Sequence, residues 1–117
     1  MEIYETAWIY ADNNNPGGVE KATYTVDGFT PGTNILATIA LSSFSEGVSI
    51  EGNQNTVGAG GCVVRHWQTF NPDGSVSDHD NKDLAGNSEF IYDCASVMFE
   101  LSVTFARAYA QANVFLL

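Results

Sequence analysis

Basic residues are nearly missing from this chain: four Lys and Arg stand against fourteen Asp and Glu, for a net charge of −10. A field of that sign repels phosphate backbones and anionic lipid headgroups, which argues against nucleic-acid and membrane-surface roles and favours cations. The same charge keeps an abundant or densely assembled protein in solution. No apolar run approaches the roughly eighteen residues of a membrane-spanning helix. Glu2 and Glu5 sit where a secretory signal would carry positive charge, so the expected setting is cytoplasmic synthesis without a signal peptide, followed by release through lysis or incorporation into a virion.

Cysteine is equally scarce. Cys62 and Cys94 are the only two, too few and too far apart for a cysteine metal cluster. A bond between them would close a loop of about 32 residues and contribute about 3 to 4 kcal/mol. In a reducing compartment, two buried free thiols are the expectation. Their spacing also departs from the immunoglobulin pattern, which requires a longer interval between cysteines and from the first of them to Trp.

Catalytic motifs are absent too. There is no GxSxG or SxxK nucleophile, and GAGG at Gly58–Gly61 lacks the lysine, hydroxyl and following helix of a phosphate loop. His66 and His79 have no spacing that would hold zinc. Glu51, Asp73 and Asp93 are the acids from which a glycosidase pair could be drawn, a matter of spatial separation. The chain therefore reads as non-enzymatic.

What the sequence does contain is punctuation. Turn-forming clusters recur at Asn13–Gly18, Asp27–Gly32, Glu51–Asn55, Gly58–Gly61, Asn71–Gly74 and Asp78–Asn87, the rhythm of an all-β domain. The intervening strands are expected at Ile3–Ala11, Val19–Asp27, Asn34–Ser43, Gly47–Glu51, Cys62–Phe70 and Glu89–Ala95, with a long C-terminal strand from Val97 to Leu117. The Pro72-Asp73-Gly74 turn predicts a hairpin between Cys62–Phe70 and Ser75–His79. At 117 residues this is one domain, residues 1–117, and the expected fold is a single antiparallel β-sandwich with the jelly roll as its main variant.

The final stretch carries the clearest pattern. Val97, Phe99, Leu101, Val103 and Phe105 share one parity, and from Ala106 the small residues Ala106, Ala108, Ala110 and Ala112 take the other. A buried face that switches parity implies a bulge or a change of packing partner. Leu101, Phe105, Ala108, Ala112 and Phe115 also fit a helical stripe, but the β-branched residues and the strict Ala/polar alternation favour a strand. Alanines along one face would let another chain approach closely, so Ala106, Ala108, Ala110 and Ala112 are the expected oligomer interface.

These features predict a non-catalytic structural subunit that self-assembles, of the virion decoration, fibre or collar type. The alternative is a lectin-like carbohydrate-binding module, with Trp8, Tyr10, Tyr24 and Trp67 stacking on a glycan. Asp78, Asp80 and Asp83 offer closely spaced oxygen ligands that make Ca²⁺ the candidate cation, without the EF-hand's glycine or closing glutamate.

Overall fold

The computed structural model describes residues 1–13, 20–44, 61–81, 87–103 and 106–117, without the side chains of 43, 44 and 106. Among these are eight strands and no helix: β1 (Glu2–Asn13), β2 (Glu20–Asp27), β3 (Ile35–Phe44), β4 (Gly61–Phe70), β5 (Val76–Asp80), β6 (Ser88–Ile91), β7 (Cys94–Val103) and β8 (Ala106–Leu116). They form two four-stranded antiparallel sheets, ordered β1-β8-β3-β6 and β2-β7-β4-β5, hereafter sheets A and B. β1 pairs with β8, β2 with β7, β3 with β6 and β4 with β5. This is a long antiparallel hairpin rolled up on itself, the jelly-roll topology.

Side-chain alternation explains the two layers. Ile9, Ala11, Ile35, Ala37, Ile39, Ile91, Ala108, Ala110, Ala112 and Val114 of sheet A face Val26, Cys62, Val64, Val97, Phe99, Leu101 and Val103 of sheet B in one core. β8 and β7 are inner strands of their sheets, beside β3 and β4 respectively, and approach each other across the interior. The methyl groups of β8 leave room there for the bulkier Phe99 and Leu101 of β7. Cys62 and Cys94 are both buried and unbonded, and burial pushes the Cys94 thiol up to about 12.

Three expectations need correction. The C-terminal stretch is two strands rather than one: β7 lies in sheet B and β8 in sheet A. The parity switch at Ala106 therefore marks passage to the other sheet, where the inward face has opposite phase. Glu89–Ala95 is likewise broken in two by a turn at Tyr92-Asp93, and Asp93 adopts a left-handed φ of 53°. Asp tolerates that region better than most side chains, and here Asp93 Oδ1 accepts from Gly32 N at 3.0 Å while Asp93 N donates to Asn34 Oδ1 at 3.0 Å. The alanine face is the third correction. Ala108, Ala110 and Ala112 are 0 to 2% exposed within the protomer's own core, so they are unavailable to a neighbouring subunit, and the side chain of Ala106 lies outside the described residues.

The β4–β5 hairpin forms as its turn chemistry predicts. Gly74 N donates to Asn71 O at 3.0 Å, Asp73 Oδ1 accepts from Ser75 N at 3.0 Å, and Gly74 takes a φ of 89°. The strand expected at Gly47–Glu51 lies outside the described residues.

Candidate functional site

A core-facing residue at every second position leaves the other parity of β1 and β8 on the outer face of sheet A. The register sets these outward residues in rows: Thr6 opposite Asn113, Trp8 opposite Gln111, Tyr10 opposite Tyr109, and Asp12 opposite Arg107. Trp8 is 62% exposed, Tyr10 42% and Tyr109 43%. The Tyr10 and Tyr109 rings pack with centroids 4.6 Å apart, a cross-strand aromatic pair. Polar contacts frame this strip. Tyr10 Oη donates to Asp12 Oδ2 at 2.8 Å, and Thr6 Oγ1 donates to Asn113 Oδ1 at 2.9 Å. The bond to Asp12 holds the Tyr10 phenol above its ordinary value.

The far end of the same face is apolar. Ile3 stands opposite Phe115, Phe115 opposite Leu36, and Leu36 opposite Phe90, a row crossing all four strands. Ile3 and Phe90 are well exposed. Among the described residues, β8 and β3 contribute one charged side chain to the sheet, Arg107. The outward residues of β1 between its bulge and its end add only Asp12. This face is thus close to neutral in a chain of −10.

The outer face of sheet B is built differently. Arg65 Nη2 lies 2.9 Å from Glu100 Oε1, Lys21 Nζ lies 3.9 Å from the same oxygen, and Ser102 Oγ donates to it at 3.3 Å. Burial alone would push the Glu100 carboxyl up, but the hydrogen bond and charge of Arg65, with help from Lys21 and Ser102, bring it below the ordinary value. Further along, Ser96 Oγ donates to Gln68 Oε1 at 3.1 Å and Gln68 Nε2 to Asp78 Oδ1 at 2.8 Å, with His66 Nε2 3.3 Å from that carboxylate. Gln68 first, then His66, lower the Asp78 carboxyl.

The four aromatic residues expected to bind a ligand are therefore split. Trp8 and Tyr10 share the outer face of sheet A, whereas Tyr24 and Trp67 pack against the core from sheet B. Tyr24 Oη donates to Glu5 across the open side of the sandwich, and Trp67 stacks on His79 with centroids 5.9 Å apart. Asp78 and Asp80 belong to β5 rather than to a loop, and Asp83 lies outside the described residues. Among the described residues, no group of three His, Cys, Asp or Glu side chains is placed to hold a metal ion. Of the glycosidase candidates, Asp73 and Asp93 serve turns and Glu51 lies outside the described residues. Tyr109 is the site residue that sequence reasoning missed, although its parity, opposite to that of the alanines, marked it as outward. No protein-family model, curated protein or solved structure matches this chain, so the site's own geometry carries the functional reading.

Proposed function

We propose that this protein is a non-catalytic interaction subunit that assembles with copies of itself through sheet A, in the manner of virion decoration, fibre or collar proteins. One observation carries the reading: three exposed aromatic side chains occupy adjoining rows on a near-neutral face of a strongly acidic chain. Two acidic copies repel each other wherever their carboxylates meet. A neutral face rich in Trp and Tyr is the surface on which they can approach, and those residue types dominate interface energetics. The jelly roll is shared by capsid and lectin domains alike, so the fold by itself does not choose between assembly and sugar binding.

Glycan binding on the same strip is the second reading. Exposed rings of Trp8 and Tyr10 flanked by Asp12, Gln111 and Asn113 offer both stacking surface and hydrogen-bonding groups. Light scattering across a hundredfold dilution separates the two. The assembly reading expects a mass above that of one chain, reduced to one chain in Trp8→Ser and Tyr109→Ser and unchanged in Asp78→Asn on the opposite face. A wild-type protein of single-chain mass at every concentration, binding a glycan array in a Trp8-dependent way, would replace it with the lectin-like reading. An array signal that requires Ca²⁺ would add the cation to that reading.

A further inference from the structure

Among the described residues the two sheets end in four edge strands, and these are unequally guarded. An unpaired edge is a template for another chain unless it is short, charged or bulged. β6 is four residues long. β5, Val-Ser-Asp-His-Asp, alternates exposed Asp78 and Asp80, and β2 carries Glu20, Lys21 and Asp27. β1 is the exception. Its first residues are guarded by a bulge between Ile3 and Glu5 and by Glu5 itself, which is turned toward Tyr24 of the other sheet. From Glu5 to Asn13, however, the ladder to β8 is uninterrupted. Among the described residues, β1 pairs with β8 alone, and between Thr6 and Asn13 it carries a single charge, Asp12.

We infer that β1 pairs antiparallel with β1 of a second copy about a twofold axis at Ile9, joining two A sheets into one eight-stranded sheet. The inference rests on the self-assembly reading and names its contact. A twofold antiparallel pair must oppose residues of equal parity, since otherwise an outward-bonding residue would meet one that bonds to β8 and the two faces would be exchanged. The axis therefore falls on a residue, and Ile9 is the midpoint of the uninterrupted segment. That register opposes Trp8 to the partner's Tyr10, Thr6 to the partner's Asp12, Ala7 to the partner's Ala11 and Glu5 to the partner's Asn13. No carboxylate meets another. The alternative axis at Ala7 would oppose Glu2 to Asp12 and run the pairing through the bulge. With the axis at Ile9, the Trp8–Tyr10 pairs of the two copies adjoin the Tyr10–Tyr109 pairs of each, making the aromatic strip continuous across the junction.

Disulfide trapping tests both contact and register. In the Thr6→Cys/Asp12→Cys double variant, each new cysteine faces its counterpart in the second copy at the Cα separation of an antiparallel pair, which a disulfide spans. Within one strand the two positions are about 20 Å apart and cannot bond. The native cysteines are buried. Oxidised glutathione should convert the double variant to a covalent dimer, while Thr6→Cys or Asp12→Cys alone stays monomeric on a denaturing gel. Equal cross-linking of the single variants overturns the register and with it the inference. A wild-type oligomer whose folded double variant does not cross-link also overturns the inference, but leaves assembly through sheet A standing. A wild-type protein that never self-associates removes both. Should the double variant fail to fold, amide hydrogen exchange on the wild-type protein decides. Protection across Thr6–Asn13 should rise with concentration by at least tenfold, and equal exchange at all concentrations overturns the edge pairing.

Discussion

The two outer faces of this sandwich rest on the same core and follow the same alternation, yet they dispose of their polar groups in opposite ways. On sheet B the charges are matched within the protomer: Arg65 and Lys21 surround Glu100, and Gln68 and His66 converge on Asp78 while Ser96 donates to Gln68. On the outer face of sheet A the charges are nearly gone, and Trp8, Tyr10, Tyr109, Ile3 and Phe90 face outward instead. A face whose groups are satisfied internally contributes to the stability of one chain. A face of exposed rings contributes little to that stability and gains when further side chains pack beside or over it. The comparison predicts that substitutions on sheet B change folding and leave assembly intact, while those on the outer face of sheet A do the reverse.

The largest effect is expected at Arg65. Arg65→Ala leaves Glu100, 7% exposed, without its main partner, and urea unfolding should show a loss of about 3 kcal/mol. Replacing both members by Met and Leu should recover most of it, because the desolvation cost disappears together with the attraction. The oligomeric mass should stay that of wild type.

Next in size is Ala110→Leu, which adds bulk where Phe99 and Leu101 already fill the interior. It should cost about 1 to 3 kcal/mol by urea unfolding. Had the alanines faced a neighbouring chain, the same change would have weakened assembly without weakening the fold.

The acid dependence of stability follows from Glu100. Its folded-state value is depressed, so its contribution is fully present above the ordinary glutamate value and fades as pH falls through the lower folded value. Thermal melts should show midpoints falling across that acid range. In Arg65→Ala the depressing partner is gone, and this part of the acid sensitivity should shrink.

Smaller still is the folding effect of Trp8→Ala. Trp8 is mostly solvent-exposed, so urea unfolding of the dissociated chain should move by less than about 1 kcal/mol, even though assembly is lost. Asp78→Asn should be the mildest of all, leaving the urea midpoint where it is in the wild type, because its contacts with His66 and Gln68 are exposed.

How far the sequence disclosed this arrangement depended on the range of each interaction. The β4–β5 hairpin was legible because Pro72, Asp73 and Gly74 encode their turn locally. The sandwich class was legible from strand length and turn spacing. The passage from β7 to β8 was visible only as a parity switch at Ala106, since period two reports a change of buried face without saying which partner lies beyond it. The alanines were misassigned for a similar reason. Small residues permit close approach, and only the fold shows that the approaching strand is the chain's own β7. Tyr24 and Trp67 could not be told from Trp8 and Tyr10 by composition, because each is an aromatic residue on an alternating strand. Which sheet face they occupy is set by pairings between residues as distant as Tyr10 and Tyr109, or Tyr24 and Phe99.

Sedimentation velocity of the wild-type protein over a hundredfold range of concentration, in physiological salt, decides whether sheet A joins copies of this chain. We expect a species of at least twice the single-chain mass at the upper end, dissociating on dilution and missing at all concentrations in Trp8→Ser. A wild-type protein that sediments as a single chain throughout, identical to Trp8→Ser, would contradict that expectation.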